Sequence, residues 1–300
     1  MSLRTWFMET RPSFLLLTPL NYSVGIAAAY IEGSFNVFRA ILGLVGVILA
    51  HISINVINDY FDYKSGLDFK TKRTPFSGGS GILPAGDLNP RSVYLFAVGC
   101  LLVGGTIGVY FACTTGWALL PLILFAAFTI YFYTTHLSQW YIGEFFTGLN
   151  FGFLMAVGAY FIMAGRYSVS ALVPAVVPGI LGSTLLFINE FPDMEADREA
   201  GRRNIVMALG LERSSKLYAV LVASPYFWVL ICIVTGLMPF TMLVTFLALP
   251  IGSRAVRGAL ENHSDIERLV PSLAANVIWI LATTTLTTVG MVLSRLICGI

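Results

Sequence analysis

Between Arg91 and Glu144 the chain runs for 52 residues without an Asp, Glu, Lys or Arg. A helix that crosses a bilayer uses about 20 apolar residues, so this run is too long for one span and too apolar for a soluble segment. It has to fold back as two helices, with the predicted break near Thr114–Gly116. Further uncharged runs cover 12–31, 40–58, 145–165, 167–189, 217–253 and 269–294. The run at 217–253 contains "TGLMPF" at 235–240, whose Gly and Pro divide it into a longer and a shorter helix. The fold class read from this pattern is all-α: a polytopic membrane protein of about nine transmembrane helices. Strands of an outer-membrane barrel are excluded, because the runs are continuous and do not alternate.

Charge supports that count. Of 300 residues only 11% are charged and 57% are hydrophobic, against roughly 25% charged in a soluble domain. With the N-terminus inside, nine spans leave only Arg39, Arg166 and Arg295 of the 18 Lys and Arg residues outside, as the positive-inside rule expects. The expected location is the cell membrane, multi-pass, in contact with membrane lipids; nothing in a net charge of +2 asks for nucleic acid. The segments between spans are too short to bury a core of their own, so 1–300 reads as one domain. Cys100, Cys113, Cys232 and Cys298 lie in or at the ends of apolar runs without metal-ligand spacing and read as packing residues.

Two stretches break the apolar pattern in the same way. "INDYFD" at 57–62 and "INEFPD" at 188–193 each end a span with Ile, Asn, an acid, an aromatic and a final Asp. Four predicted spans separate them, and an even number of crossings returns the chain to the same side. The match hints at related halves, roughly 1–140 and 141–300. Helical continuation stacks Asn58 with Asp62, and Asn189 with Asp193 and Asp197, on single faces. Stacked carboxylates repel unless a cation lies between them, and an all-oxygen donor set suits Mg²⁺. Pro192 is expected to kink the second helix. Basic residues follow each cluster: Lys70, Lys72 and Arg73, then Arg198, Arg202 and Arg203. Carboxylates holding Mg²⁺ beside guanidinium groups make a diphosphate site; the plainer alternative is solvated helix ends. The glycine-rich loop "TPFSGGSGILPAGDLNP", 74–90, reads as a turn-rich connection able to act as a lid. His51, inside the second span, reads as a structural hydrogen-bond partner.

"RPSFLLLTPLNYSVG" at the first span, "NDYFDYKSGLD" after the second and "DMEADREAGRRN" after the sixth together resemble the UbiA superfamily of intramembrane prenyltransferases, over nearly the whole chain. The resemblance implies helices around a central cavity open to the cytoplasmic side, and transfer of an isoprenyl group from an isoprenyl diphosphate to an aromatic or lipid acceptor. It implies Mg²⁺, two ions, as cofactor. The first family motif falls on Asn58, Asp59 and Asp62, the second on Asp193 and Asp197. Asp62, Asp193 and Asp197 are then catalytic; Asn58, Asp62, Asp68, Asp193 and Asp197 hold metal; Arg11, Asn58, Asp59, Arg73, Arg202 and Arg203 contact the diphosphate. Tyr131, Tyr133 and Phe187 are candidates to shield an allylic cation. Much of the family has another Asp four residues after Asp62, where this chain has Gly66 and the next acid is Asp68. That departure, with "GGSGIL" and Gly143–Glu144, resembles the menaquinone-type branch and implies a hydroxynaphthoate acceptor. The enzymatic alternative is a geranylgeranylglyceryl phosphate, with Lys70 and Lys72 free to hold its phosphate. An ion-coupled transporter is the alternative of another class. Many relatives carry a Tyr-x-x-x-Lys element where "YFYTTHLSQW" has no lysine; Arg73 or Arg11 is expected to replace it.

Overall fold

The computed structural model describes residues 2–71, 73–133, 136–137, 140–199 and 201–298, and the side chains of all but Cys298 among them. Lys72 lies outside the described residues. All regular structure among them is helical. A short helix α1, Leu3–Glu9, starts at Ser2, whose hydroxyl accepts the Thr5 N–H. It precedes α2, Pro12–Ile31, and α3, Val37–Ser65. Then come α4, Pro90–Thr115, α5, Trp117–Phe132, α6, Gly143–Ala164, and α7, Val169–Glu199. A single-turn α8, Ile205–Leu209, leads into α9, Leu211–Val234, α10, Phe240–Asn262, and α11, Ile266–Ile297.

Eight of these helices are long and apolar enough to cross a membrane; α5, a shorter apolar helix, stands where the fourth span is expected. The long uncharged runs break where glycine and proline predicted. Gly116, at φ 152°, turns α4 into α5, and Gly236, at φ 73°, with Pro239 separates α9 from α10. Asn36 and Asn89 cap α3 and α4 by accepting backbone N–H groups of their first turns. Pro192 does not end α7, which carries Pro174, Pro178 and Pro192 and continues to Glu199.

Of the long spans α7 is the most enclosed and α4 the most peripheral. Lipid tails are as apolar as leucine, so membrane helices hold together by close backbone approach and interhelical hydrogen bonds. Both are present. The segment Gly148–Leu154 of α6 is a π-helix, and a Cβ on its Gly148 or Gly152 would collide with the carbonyls of Gly179 and Pro178 on α7. Tyr218 donates to Asn276 at 2.9 Å and Trp279 donates to Tyr226 at 2.7 Å, tying α9 to α11.

At the end of the bundle away from the acidic motifs, Glu32 accepts from Arg166 and Ser168, each at 3.0 Å, and from Tyr160 and Ser170. Burial alone would raise its pKa; the hydrogen bonds, from Ser170 and Tyr160 first, outweigh it and hold the carboxyl at about 2. Arg39 donates to the Ile162 and Met163 carbonyls at 3.3 and 3.1 Å, satisfying the last turn of α6. This end of the bundle is thereby tied shut.

Candidate active site

The acidic motifs meet at one end of the bundle. Helix α3 continues past its apolar stretch to Ser65, which buries Asp59 and Asp62, and Gly66 at φ 81° ends it. The single turn Leu67–Phe69 then brings Asp68 back as a third buried acid. From the other side, α7 carries Asn189, Asp193 and Asp197. After α7 the chain turns at Gly201, φ 77°, and Arg202 bridges the motifs: its guanidinium donates to Asp62 and, at 3.2 Å, to Asp197. Asn58 donates to Asp62 at 2.6 Å. Asn204 caps α8 by accepting the Met207 N–H at 2.9 Å, and its amide reaches Asp197 at 3.3 Å.

The glycine-rich loop lies across these acids. The Ser80 N–H donates to Asp59 at 2.8 Å and its hydroxyl donates to Glu9 at 2.8 Å, so the loop is fastened to α3 and α1 together. Ser77, Gly78 and Gly79 line the same chamber as Asp193. Gly79, at φ 70°, passes so close that a Cβ would stand 3.1 Å from Asp68 Oδ1; glycine is required there for conformation and for space. Arg11 is itself left-handed, φ 55°. Its guanidinium lies 3.6 Å from Asp59 and 4.8 Å from the Phe14 ring centre.

Collecting acids in one buried place makes their protons hard to remove. Burial, then the charges of Asp59 and Asp62, push Asp68 up to about 7 against Arg73 and Arg202. Burial first, and Asp59 next, push Glu9 up to about 8, partly offset by the Ser80 hydrogen bond.

Two hollows meet here. A polar chamber of about 150 Å³ is lined by Asp62, Asp68, Asp193, Asp197, Arg202 and Arg203, among others. An apolar cavity of about 350 Å³ extends from it between α2, α3, α4, α5, α6 and α7. Arg11, Asn58, Tyr133, Leu186 and Asn189 line both. The pair thus joins a charged end, with acids and arginines facing each other, to an apolar one.

Not every expected residue reaches the site. Tyr133 stands at the junction, its phenol accepting from Thr147 at 3.3 Å. Tyr131, by contrast, bonds Tyr94 at 3.0 Å in a separate apolar cluster. Phe187 is 1% exposed and packs on Phe191 in the core. Neither lines the hollows, because one helical turn carries aromatic side chains to opposite faces. Arg73 lies over Gly78 and Gly81, close enough to act on Asp68 but off the chamber wall. Lys70 pairs with Glu199 at 3.2 Å on the surface, outside the chamber. His51 pairs as expected, with Thr18 at 2.6 Å across to α2.

Glu9, Ser77, Ser80, Asn204 and the buried Glu144 and Glu190 escaped the sequence reading as site residues. Ser77, Ser80, Glu144, Glu190 and Asn204 lie inside stretches the sequence marked, without being singled out there as site residues, and Glu9 carried no motif signal. Glu144 accepts the Ile205 N–H at 2.9 Å and so ties α6 to α8.

The donor set suits a hard cation: it is oxygen only, and the buried Asp59 Oδ1, Asp68 Oδ2, Asn189 Oδ1 and Asp193 Oδ1 have no hydrogen-bond partner among the described residues. Among the described residues no three acidic, His or Cys side chains converge on one point. The guanidinium of Arg202 occupies the space between Asp62 and Asp197.

The sequence profile of the UbiA prenyltransferase family matches residues 20–280. The chain is 24% identical over 266 residues to the 1,4-dihydroxy-2-naphthoate octaprenyltransferase of Bacillus subtilis (strain 168), covering 87% of this chain and 84% of that one. Its fold is similar to the apo structure of a UbiA homolog from Aeropyrum pernix K1, with a TM-score of 0.72 at 16% identity over 94% of this chain and 97% of the other. A UbiA homolog from Archaeoglobus fulgidus bound to DMAPP and Mg²⁺ gives 0.58 at 17% identity, over 95% and 99%.

Proposed function

Because the chain belongs to the UbiA prenyltransferase family, we propose that it carries an isoprenyl group from an isoprenyl diphosphate to a hydroxynaphthoate, as in the menaquinone-type branch. The observation that carries this reading is the junction at Asn58, Tyr133 and Asn189, where the chamber of both acidic motifs opens on an apolar cavity. A diphosphate in the chamber puts its first prenyl carbon at that junction. The similarity to the B. subtilis 1,4-dihydroxy-2-naphthoate octaprenyltransferase supports the acceptor class. The A. fulgidus structure with DMAPP and Mg²⁺ supports the donor class and the metal.

Asn58, Asp62, Asp68, Asp193 and Asp197 would hold Mg²⁺, which supplies positive charge to the leaving diphosphate. Arg202, Arg203 and Arg11 add cationic hydrogen bonds to the same group. The loop carrying Ser77, Gly79 and Ser80 covers the chamber and keeps water from the allylic cation. As the carbon–oxygen bond breaks, its electron pair leaves with the diphosphate. An electron-rich ring carbon then bonds to the prenyl carbon, and loss of the acceptor's carboxylate as carbon dioxide returns a pair to the ring. Tyr133 offers its ring at the junction to steady the cation. We assign the chamber to the cytoplasmic side, from the Lys and Arg distribution.

Supplying one donor with a hydroxynaphthoate or a geranylgeranylglyceryl phosphate tests the acceptor, with products read by mass spectrometry. Prenylated naphthol is expected; transfer to the glyceryl phosphate alone would overturn the branch. Release of pyrophosphate only when acceptor is present separates the enzyme from a transporter.

A further inference from the structure

The apolar cavity has a measurable depth. On α3 it runs from Asn58 at the junction to Gly43, fifteen residues at 1.5 Å each, or about 22 Å. On α5 it runs from Tyr133 to Leu119, which gives about 21 Å by the same rise. Two helices of opposite direction therefore agree on one length.

The far end is closed. Tyr22, Phe111, Leu119 and Ile162 meet there, each less than 7% exposed. Tyr22 and Ile162 press so closely on Gly43 that no Cβ fits between them, and Tyr22 is held by donating to the Ala40 carbonyl at 3.1 Å. Immediately beyond, Arg39 bonds the Ile162 and Met163 carbonyls at 3.3 and 3.1 Å. The floor is thus backed by the polar ties of the opposite end of the bundle.

An extended isoprene unit, four chain bonds of about 1.5 Å in zigzag, spans about 5 Å. We propose that the cavity is a length gauge, closed by Tyr22, Phe111, Leu119 and Ile162, that accepts an extended isoprenyl chain of about four units. This rests on the prenyl-transfer reading and names its donor class, a twenty-carbon isoprenyl diphosphate. Shorter donors leave the floor uncovered; a donor of eight units has to bend away from the cavity axis.

The test uses geranyl, farnesyl, geranylgeranyl and octaprenyl diphosphates with one acceptor, measuring binding to the purified protein as well as kcat/KM. Both are expected to rise at least tenfold from two units to four and to fall at least tenfold from four to eight. Gly158 lies one turn from Ile162 on the cavity wall, and a Cβ there meets only Leu122 at an ordinary 3.7 Å. Gly158→Leu is expected to lower the ratio of geranylgeranyl to geranyl use at least tenfold. If that variant does not fold, Ile162→Ala carries the test and is expected to move the optimum to longer donors. An unchanged optimum in the folded variant, or equal use of four and eight units by the native chain, overturns the gauge. Length-dependent binding without transfer to any acceptor would sink the prenyl-transfer reading while leaving the gauge standing; flat binding would overturn the gauge whatever the turnover.

Discussion

Arg202 is the residue through which the two acidic motifs act on each other, since one planar guanidinium spans Asp62 and Asp197. A lysine offers a single point charge in place of that fork. Arg202→Lys is therefore expected to recover little of the activity lost in Arg202→Ala, with donor binding weakened about tenfold or more in both; recovery to the native level by lysine would show that charge alone suffices. Asp62→Asn, Asp193→Asn and Asp197→Asn each remove a metal-holding charge, and each is expected to lower turnover about a hundredfold or more. Native turnover in all three would remove the metal assignment. Glu9 makes a pH prediction. Its carboxyl keeps its proton up to about 8 in the folded chain, against 4.5 for the ordinary group, so between those values the folded state binds more protons than the unfolded one. Its contribution to stability is complete below the lower value and is lost as pH rises through the upper one. Glu9→Gln, neutral throughout, should flatten the decline in Tm between pH 5 and pH 9 measured in detergent; an identical decline would mean that another group is responsible.

At the scale of elements, the contact of α6 with α7 depends on the π-helical segment and its glycines. Gly152→Leu places a side chain against the Pro178 carbonyl in a contact with no free volume, and overpacking of this kind costs about 1–3 kcal/mol or more. A lower Tm and reduced yield of folded protein are expected, with Gly158→Ala, which has room, close to the native value. Equal stability of the two would mean that α6 shifts freely along α7. The loop of Ser77, Gly79 and Ser80 is the other decisive element. It reads in the sequence as a turn-rich connection, yet it is hydrogen-bonded to Asp59 and Glu9 and lines the chamber beside Asp193, so its order depends on the acids it covers.

For the whole molecule, the Lys and Arg distribution sets a topology that labelling checks. A cysteine in place of Arg166 should react with a membrane-impermeant maleimide from outside intact cells, and one in place of Arg213 only after permeabilisation, each against the background of the native cysteines. The reverse pattern would put the chamber on the outer face. The assembly around α7 explains why the acidic motifs, distant in sequence, form one site: α3 and α7 both outrun their apolar stretches at the same end of the bundle.

The sequence by itself determined the membrane spans, their breaks at Gly116 and Gly236, the paired acidic motifs, and the chemistry that carboxylates beside guanidinium groups can perform. These are legible because charge and helix-breaking residues act locally, and a bilayer rejects charge wherever it occurs in the chain. Tertiary structure alone decided that Tyr133 faces the cavity while Tyr131 and Phe187 do not, that Arg202 stands between the motifs, and that Glu9 and Ser80 fasten the glycine loop. In water, polarity tells the inner face of a helix from the outer. Here lipid and core are both apolar, so the pattern along α5 or α7 carries no sign of which side looks inward, and close packing between helices makes that choice.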